Sequence, residues 1–160
     1  MMRAFFLSIF ALFSPLASAQ EAYMVVEANS GKVLMASNSV VQRPVASLNK
    51  IATCVIAVDW ADATGTDLSQ VTATVPAAAL AIGGTNPLGL QPGDSMSVRD
   101  ALYSAMLGSD NIAAMTVANY VGGEMLRARG KGGDPIAAFV AEMNELGKAI
   151  GLTKTRFANP

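Results

Sequence analysis

RPVASLNKIAT, residues 43–53, is the stretch on which the reading of this chain turns. Arg43-Pro44 ends an extended segment, because proline biases the residue before it toward extended backbone. From Ala46 to about Asp59, apolar residues at Leu48, Ile51, Ala52, Val55 and Val58 recur at helical spacing, which predicts a helix. Ser47 then falls in its first turn and Lys50 three residues later, on the same face. The chain contains no histidine. A lysine that is neutral part of the time, through burial or a neighbouring cation, can take a serine proton in its place. The start of a helix adds backbone N–H groups and the positive end of the dipole to receive a developing oxyanion. In isolation the same residues also describe a helix-start serine with a solvated lysine, and so short a motif arises by chance.

The bulk composition narrows the surroundings of this motif. At 160 residues, 52% hydrophobic and 14% charged, the chain fits one domain with a real core. A formal net charge of -1 removes the electrostatic basis for binding nucleic acid. With Cys54 the single cysteine, no histidine and no visible carboxylate cluster, neither a metal nor another cofactor is expected. Met1-Met2-Arg3 is a short basic start, Ala4 to Phe13 an apolar run, and Ala17-Ser18-Ala19 a small-x-small cleavage site. Residues 1–19 therefore read as a signal peptide, and 20–160 as the exported domain. The run is short of the roughly 20 residues that span a bilayer. An exported protein with one cysteine fits the Gram-negative periplasm better than a disulfide-stapled scaffold.

Along the chain, Ala22 to Ala28 and Val33 to Ser37 flank the turn Asn29-Ser30-Gly31-Lys32, predicting a β-hairpin. Val71 to Val75 reads as a short strand, and Gly83 to Pro87 with Gln91 to Asp94 as surface turns. Ser97-Val98-Arg99-Asp100 is a capping box opening a helix toward Leu107, which Gly108 stops. A further helix is expected over Ile112 to Val121, then a glycine-rich loop from Gly122 to Asp134, then a helix from Pro135 to about Ile150. The scattered methionines suit core filling, and Cys54 a small buried hydrophobe. Together these elements predict a mixed α+β domain with an antiparallel sheet packed by helices.

Ser109-Asp110-Asn111 sits in the gap between two of those helices, where an N-cap cluster would also place such residues. Paired with Ser47-Leu48-Asn49-Lys50, however, it supplies the first two of the three elements S-x-x-K, S-D-N and K-T-G, in that order. The hairpin at Tyr23 to Met35, Arg43 to Thr53, "LQPGDSMSVRDAL", "LGSDNIAAMTVANYV" and "MNELGKAIGLTKTRFANP" extend the likeness over nearly all of residues 20–160. On these blocks the chain resembles the D-alanyl-D-alanine carboxypeptidases, the low-molecular-mass penicillin-binding proteins.

The resemblance implies the serine-transferase fold shared by penicillin-binding proteins and β-lactamases, with this chain supplying its N-terminal part. It implies a peptidase that removes the terminal D-alanine from peptidoglycan stem peptides, with no cofactor, and that penicillins acylate as substrate mimics. Carried over residue by residue, Ser47 is the nucleophile and Lys50 its base. Ser109 passes the proton to the leaving D-alanine, while Asn111 binds the substrate amide and helps place Lys50. The implied partners are the peptidoglycan pentapeptide and β-lactam antibiotics, with peripheral inner-membrane association through a region beyond residue 160 left open, as is carboxypeptidase against endopeptidase preference. K-T-G is absent, since Lys154-Thr155-Arg156 lacks the glycine; in the family that motif lies on a later strand. The chain as given is therefore expected to be inactive alone. Two alternatives stand beside this reading. A class A-like β-lactamase would need a deacylating glutamate in E-x-x-L-N form, which neither Glu142 nor Glu145 completes. A non-catalytic peptidoglycan-binding protein of the same fold would keep the pocket without turnover.

Overall fold

The computed structural model describes residues 21–160, and the signal peptide expected over 1–19 lies outside the described residues. The chain divides after Val41 into two compact units.

In the first unit, β1 (Tyr23–Val26) pairs antiparallel with β2 (Val33–Ser37), in the register Tyr23↔Ser37, Met24↔Ala36 and Val25↔Met35. The register shifts between Val25 and Val26, so Val26 faces Val33. Strand-forming residues on both sides of a polar turn explain the hairpin. The turn is built on Glu27, whose carboxylate accepts from the backbone N–H of Asn29 at 3.0 Å and of Ser30 at 2.7 Å. Hydrogen bonds from the Ser30 hydroxyl first, and then from the two backbone N–H groups, lower the Glu27 pKa to about 2.

The second unit, residues 42–160, holds the helices. A 3₁₀ turn over Ala46–Leu48 leads into α1 (Asn49–Thr64), so Ser47 precedes the α-helix instead of occupying its first turn. Gly65, at φ +66, closes α1 in the left-handed conformation that glycine adopts without strain. The residues whose spacing predicts this helix are not its buried face. Leu48 and Ile51 are exposed, whereas Lys50, Thr53, Ile56, Ala57 and Ala61 are buried. The helix is apolar on more than one side, and the side bearing small residues is the one that packs.

β3 (Thr72–Thr74) pairs antiparallel with β4 (Ser95–Ser97), aligning Ala73 with Met96. A 3₁₀ segment, Ala77–Ile82, lies between them. The expected antiparallel sheet is thus two separate two-stranded ladders among the described residues. Neither β4 nor the 3₁₀ segment is predicted from the sequence, because Ser-Met-Ser and an alanine run carry no strand or turn signal.

α2 (Val98–Leu107) starts at Ser97, whose hydroxyl accepts the Asp100 N–H at 3.0 Å, as the capping pattern predicts. α3 runs from Asn111 to Ala128 and α4 from Pro135 to Ala149, capped by the carboxylates of Asp110 and Asp134. The expected loop from Gly122 is a correction: the first part of that stretch is helix, and α3 carries Gly122 and Gly123 in its interior. A Cβ on Gly122 would lie 1.9 Å from the Pro135 carbonyl oxygen and 3.2 Å from Phe139 Cβ. Glycine here is the residue that lets α3 and α4 touch, which outweighs its cost of about 1 kcal/mol in helix propensity.

α3 is the centre of this unit, with every residue from Ile112 to Ala118 buried. Around it Val98, Val75, Phe139 and Met143 complete the core. The methionines divide: Met115 and Met143 are buried, while Met24, Met35 and Met106 are exposed. Cys54 is half-buried, not fully enclosed. The final segment is tied back at two points. Asn144 accepts the Phe157 N–H at 2.9 Å and donates to its carbonyl at 3.0 Å, and Asn49 Nδ2 donates to the Asn159 carbonyl at 2.9 Å.

Candidate active site

The four residues singled out in the sequence meet in one place within the second unit. Lys50, in the first turn of α1, extends back so that Nζ lies 3.2 Å from Ser47 Oγ. Ser47 Oγ is also 2.6 Å from Ser109 Oγ, which comes from the link between α2 and α3. The Lys50 ammonium donates to Asn111 Oδ1 at 2.7 Å. Ser47 thus has two polar neighbours that can exchange a proton with it, one from each motif.

The local backbone is unusual at the two serines. Ala46, immediately before Ser47, has φ +47, and Ser109 has φ +55. A left-handed conformation in a residue with a Cβ costs of order 1–3 kcal/mol. Both strained residues thus adjoin or form the short Ser47–Ser109 contact.

Lys50 is 5% exposed, and burial lowers its pKa below the ordinary value, with the charge of Asp110 opposing the shift. A lysine in that position is neutral for a larger fraction of the time than one in water, as a general base requires. Asp110 itself is fully buried. Its Oδ1 caps α3, accepting from Ile112 N–H at 2.9 Å and Ala113 N–H at 3.1 Å, and its Oδ2 accepts from Ser104 at 2.9 Å.

Ser47, Lys50 and Ser109 line a depression of about 480 Å³, open on one side and walled by Val45, Leu48, Ile51, Ala105 and Met106. Asn111 stands behind Lys50 and is not part of the wall. Its Nδ2 donates to the Gly83 carbonyl at 2.9 Å and its backbone N–H to the Thr85 carbonyl at 2.8 Å. Sequence reading assigns Gly83 to Pro87 to surface turns and misses this contact. The double glycine of Gly83-Gly84 is the one signal that could have drawn attention to it.

The two glutamates on α4 that a β-lactamase reading would need are both engaged in ion pairs, one with Arg129 at the end of α3 and one with Lys148 within α4. Glu142 accepts from Arg129 at 2.6 Å and Glu145 from Lys148 at 2.7 Å. Ser47, Lys50, Ser109 and Asn111 form one cluster, in which a serine hydroxyl lies beside a buried lysine able to accept its proton.

Comparison with known proteins identifies the family and the fold. The family model described as D-alanyl-D-alanine carboxypeptidase matches residues 11–160. The D-alanyl-D-alanine carboxypeptidase DacF of Bacillus subtilis (strain 168) is 30% identical over 147 residues, covering 92% of this chain and 34% of the relative. DacC of Escherichia coli (strain K12), of the same description, is 31% identical, covering 91% of this chain and 38% of the relative. The chain thus spans less than half the length of these curated relatives. Among solved structures, the D-alanyl-D-alanine carboxypeptidase DacD from Francisella tularensis superposes with a TM-score of 0.72 at 29% identity, over 87% of this chain and 30% of that one. Penicillin binding protein 5 from Haemophilus influenzae gives 0.69 at 23% identity, over 87% and 38%, and shares the fold. The α+β penicillin-binding-protein fold expected from the sequence is the one observed, here as a helix-rich part with small antiparallel ladders.

Proposed function

The chain belongs to the D-alanyl-D-alanine carboxypeptidase family, and on that premise we propose that it acts as a serine peptidase removing the terminal D-alanine from peptidoglycan stem peptides. The observation that carries this reading is the contact between a nearly buried Lys50 and the Ser47 hydroxyl, at 3.2 Å. Neutral Lys50 takes the Ser47 proton as Oγ attacks the carbonyl between the two D-alanines, forming an acyl-enzyme and releasing D-alanine after its nitrogen is protonated. Ser109 passes that proton, a role supported by the 2.6 Å between its Oγ and that of Ser47. Water then hydrolyses the ester. Asn111 holds Lys50 in line through its Oδ1. Penicillins, whose strained amide offers the same carbonyl, acylate Ser47 and leave slowly. The site of action is the periplasm, reached through the segment 1–19.

The protein expressed from its complete reading frame is incubated with a fluorescent penicillin, and the labelled peptide is identified by mass spectrometry. The expected label is on Ser47, persistent over minutes, with D-alanine released from a pentapeptide by the unlabelled enzyme. A label on Ser109, or one that survives Ser47→Ala, overturns the assignment of the nucleophile. Rapid turnover of the penicillin would favour the β-lactamase alternative, and a folded protein that binds stem peptide without labelling would favour the non-catalytic one.

A further inference from the structure

We infer that Gly83-Gly84-Thr85 is a positioning strap that orients the Asn111 amide so that it accepts from Lys50, leaving the lysine lone pair for Ser47. This rests on the acyl-enzyme reading above and adds to it residues that carry no motif and do not line the depression.

An asparagine amide has one accepting and one donating end, and its direction is read from its partners. A backbone carbonyl can only accept, so the Gly83 oxygen at 2.9 Å requires Nδ2 on its side. The Thr85 carbonyl, 2.8 Å from the Asn111 N–H, fixes the backbone from which that side chain departs. Oδ1 is thereby turned to Lys50, at 2.7 Å. The reverse orientation would set two oxygens against each other at Gly83. It would also aim an N–H at Nζ, and against neutral lysine that N–H would occupy the lone pair needed by the Ser47 proton, 3.2 Å away.

Gly84 makes the close approach feasible. Its φ is +83, and a Cβ there would lie 2.3 Å from Asn111 Nδ2. Gly89, in the same turn-rich segment, has a similar φ of +65 but nothing within 4 Å of its Cβ position. Alanine at either site meets comparable backbone strain, and only at Gly84 does it collide with Asn111.

The experiment compares Gly84→Ala with Gly89→Ala for the rate of Ser47 labelling by a fluorescent penicillin, each also in the Asn111→Ala background. A displacement of the amide in Gly84→Ala is expected to slow labelling by roughly 10–10²-fold. Gly89→Ala is expected to leave the rate unchanged, and Gly84→Ala to add nothing once Asn111 is alanine. Equal effects of the two glycine variants, or full additivity of Gly84→Ala with Asn111→Ala, overturn the proposal. Should Gly84→Ala not fold, the ¹⁵N-labelled side-chain amide of Asn111 in the unaltered protein is read instead. Slow exchange of one of its protons supports the strap, and free exchange of both overturns it. That resonance is independent of turnover, so a folded protein that takes no penicillin label counts against the acyl-enzyme reading and not against the strap.

Discussion

Gly122 in α3 and Pro135 at the start of α4 approach so closely that a Cβ on the glycine would sit 1.9 Å from the proline carbonyl oxygen. The obstacle is backbone, and it cannot swing aside. Gly122→Ala is therefore expected to destabilise the protein by about 1–3 kcal/mol through overpacking, less the roughly 1 kcal/mol that alanine gains as a helix former. At Gly123 the nearest atom would be 3.9 Å away, so Gly123→Ala is expected to be neutral or stabilising by up to about 1 kcal/mol. Thermal melts of the two variants check this, and equal shifts would show that α3 and α4 are not in contact at Gly122.

Lys50→Arg should remove acylation while leaving the fold intact. Arginine keeps the charge but cannot give up its proton at accessible pH, so it cannot act as a base toward Ser47. Loss of such a base costs roughly 10²–10⁴ in rate. Labelling kinetics with a fluorescent penicillin, alongside a circular dichroism spectrum of the variant, measure both halves of the statement.

The pH dependence of acylation follows from the environment of the same lysine. Burial lowers the Lys50 pKa and Asp110 opposes it, and the neutral form is the active one. The labelling rate is therefore expected to rise with pH through a midpoint below the ordinary lysine value. Asp110→Asn removes the opposing charge and retains an oxygen for the α3 cap, so its midpoint should move further down. A midpoint that stays put in Asp110→Asn, or moves up, would detach Lys50 from the observed titration.

Glu27 offers a readout that is separate from the chemistry. Its carboxyl is held at about 2, with Ser30 the largest cause. Protons bind more weakly in the folded turn, so the stabilisation it provides is complete above the ordinary glutamate range and is lost as pH falls through about 2. The ¹³C shift of its carboxylate should titrate there, and Ser30→Ala should move the midpoint upward.

How much of this was visible in the sequence depends on the distance over which each feature is encoded. Ser47 and Lys50 are three residues apart, and a 3₁₀ turn running into α1 brings them together within that local stretch. Ser97, Pro135 and the hairpin turn are equally local, and their elements form as expected. The face of α1 that packs was not legible, because Ile51 and Val55 carry the same hydrophobic signal as Ile56. Nor was the contact from Gly83 to Asn111, 28 residues apart, where the only trace is a pair of glycines that also reads as a turn. Gly122 misled for the opposite reason: a residue that weakens an isolated helix is the one that a helix crossing demands.

Ala46 and Ser109 bear on how this protein can change. A left-handed backbone admits glycine and asparagine readily and β-branched residues hardly at all, whatever the side chain is asked to do. In a saturation library scored only for folded protein, both positions should tolerate Gly and Asn and reject Val, Ile and Thr. At Ser109, variants that pass this filter would still lack the hydroxyl facing Ser47. The fold and the chemistry thus impose separate filters at one codon, and a drifting lineage could satisfy the first long after losing the second.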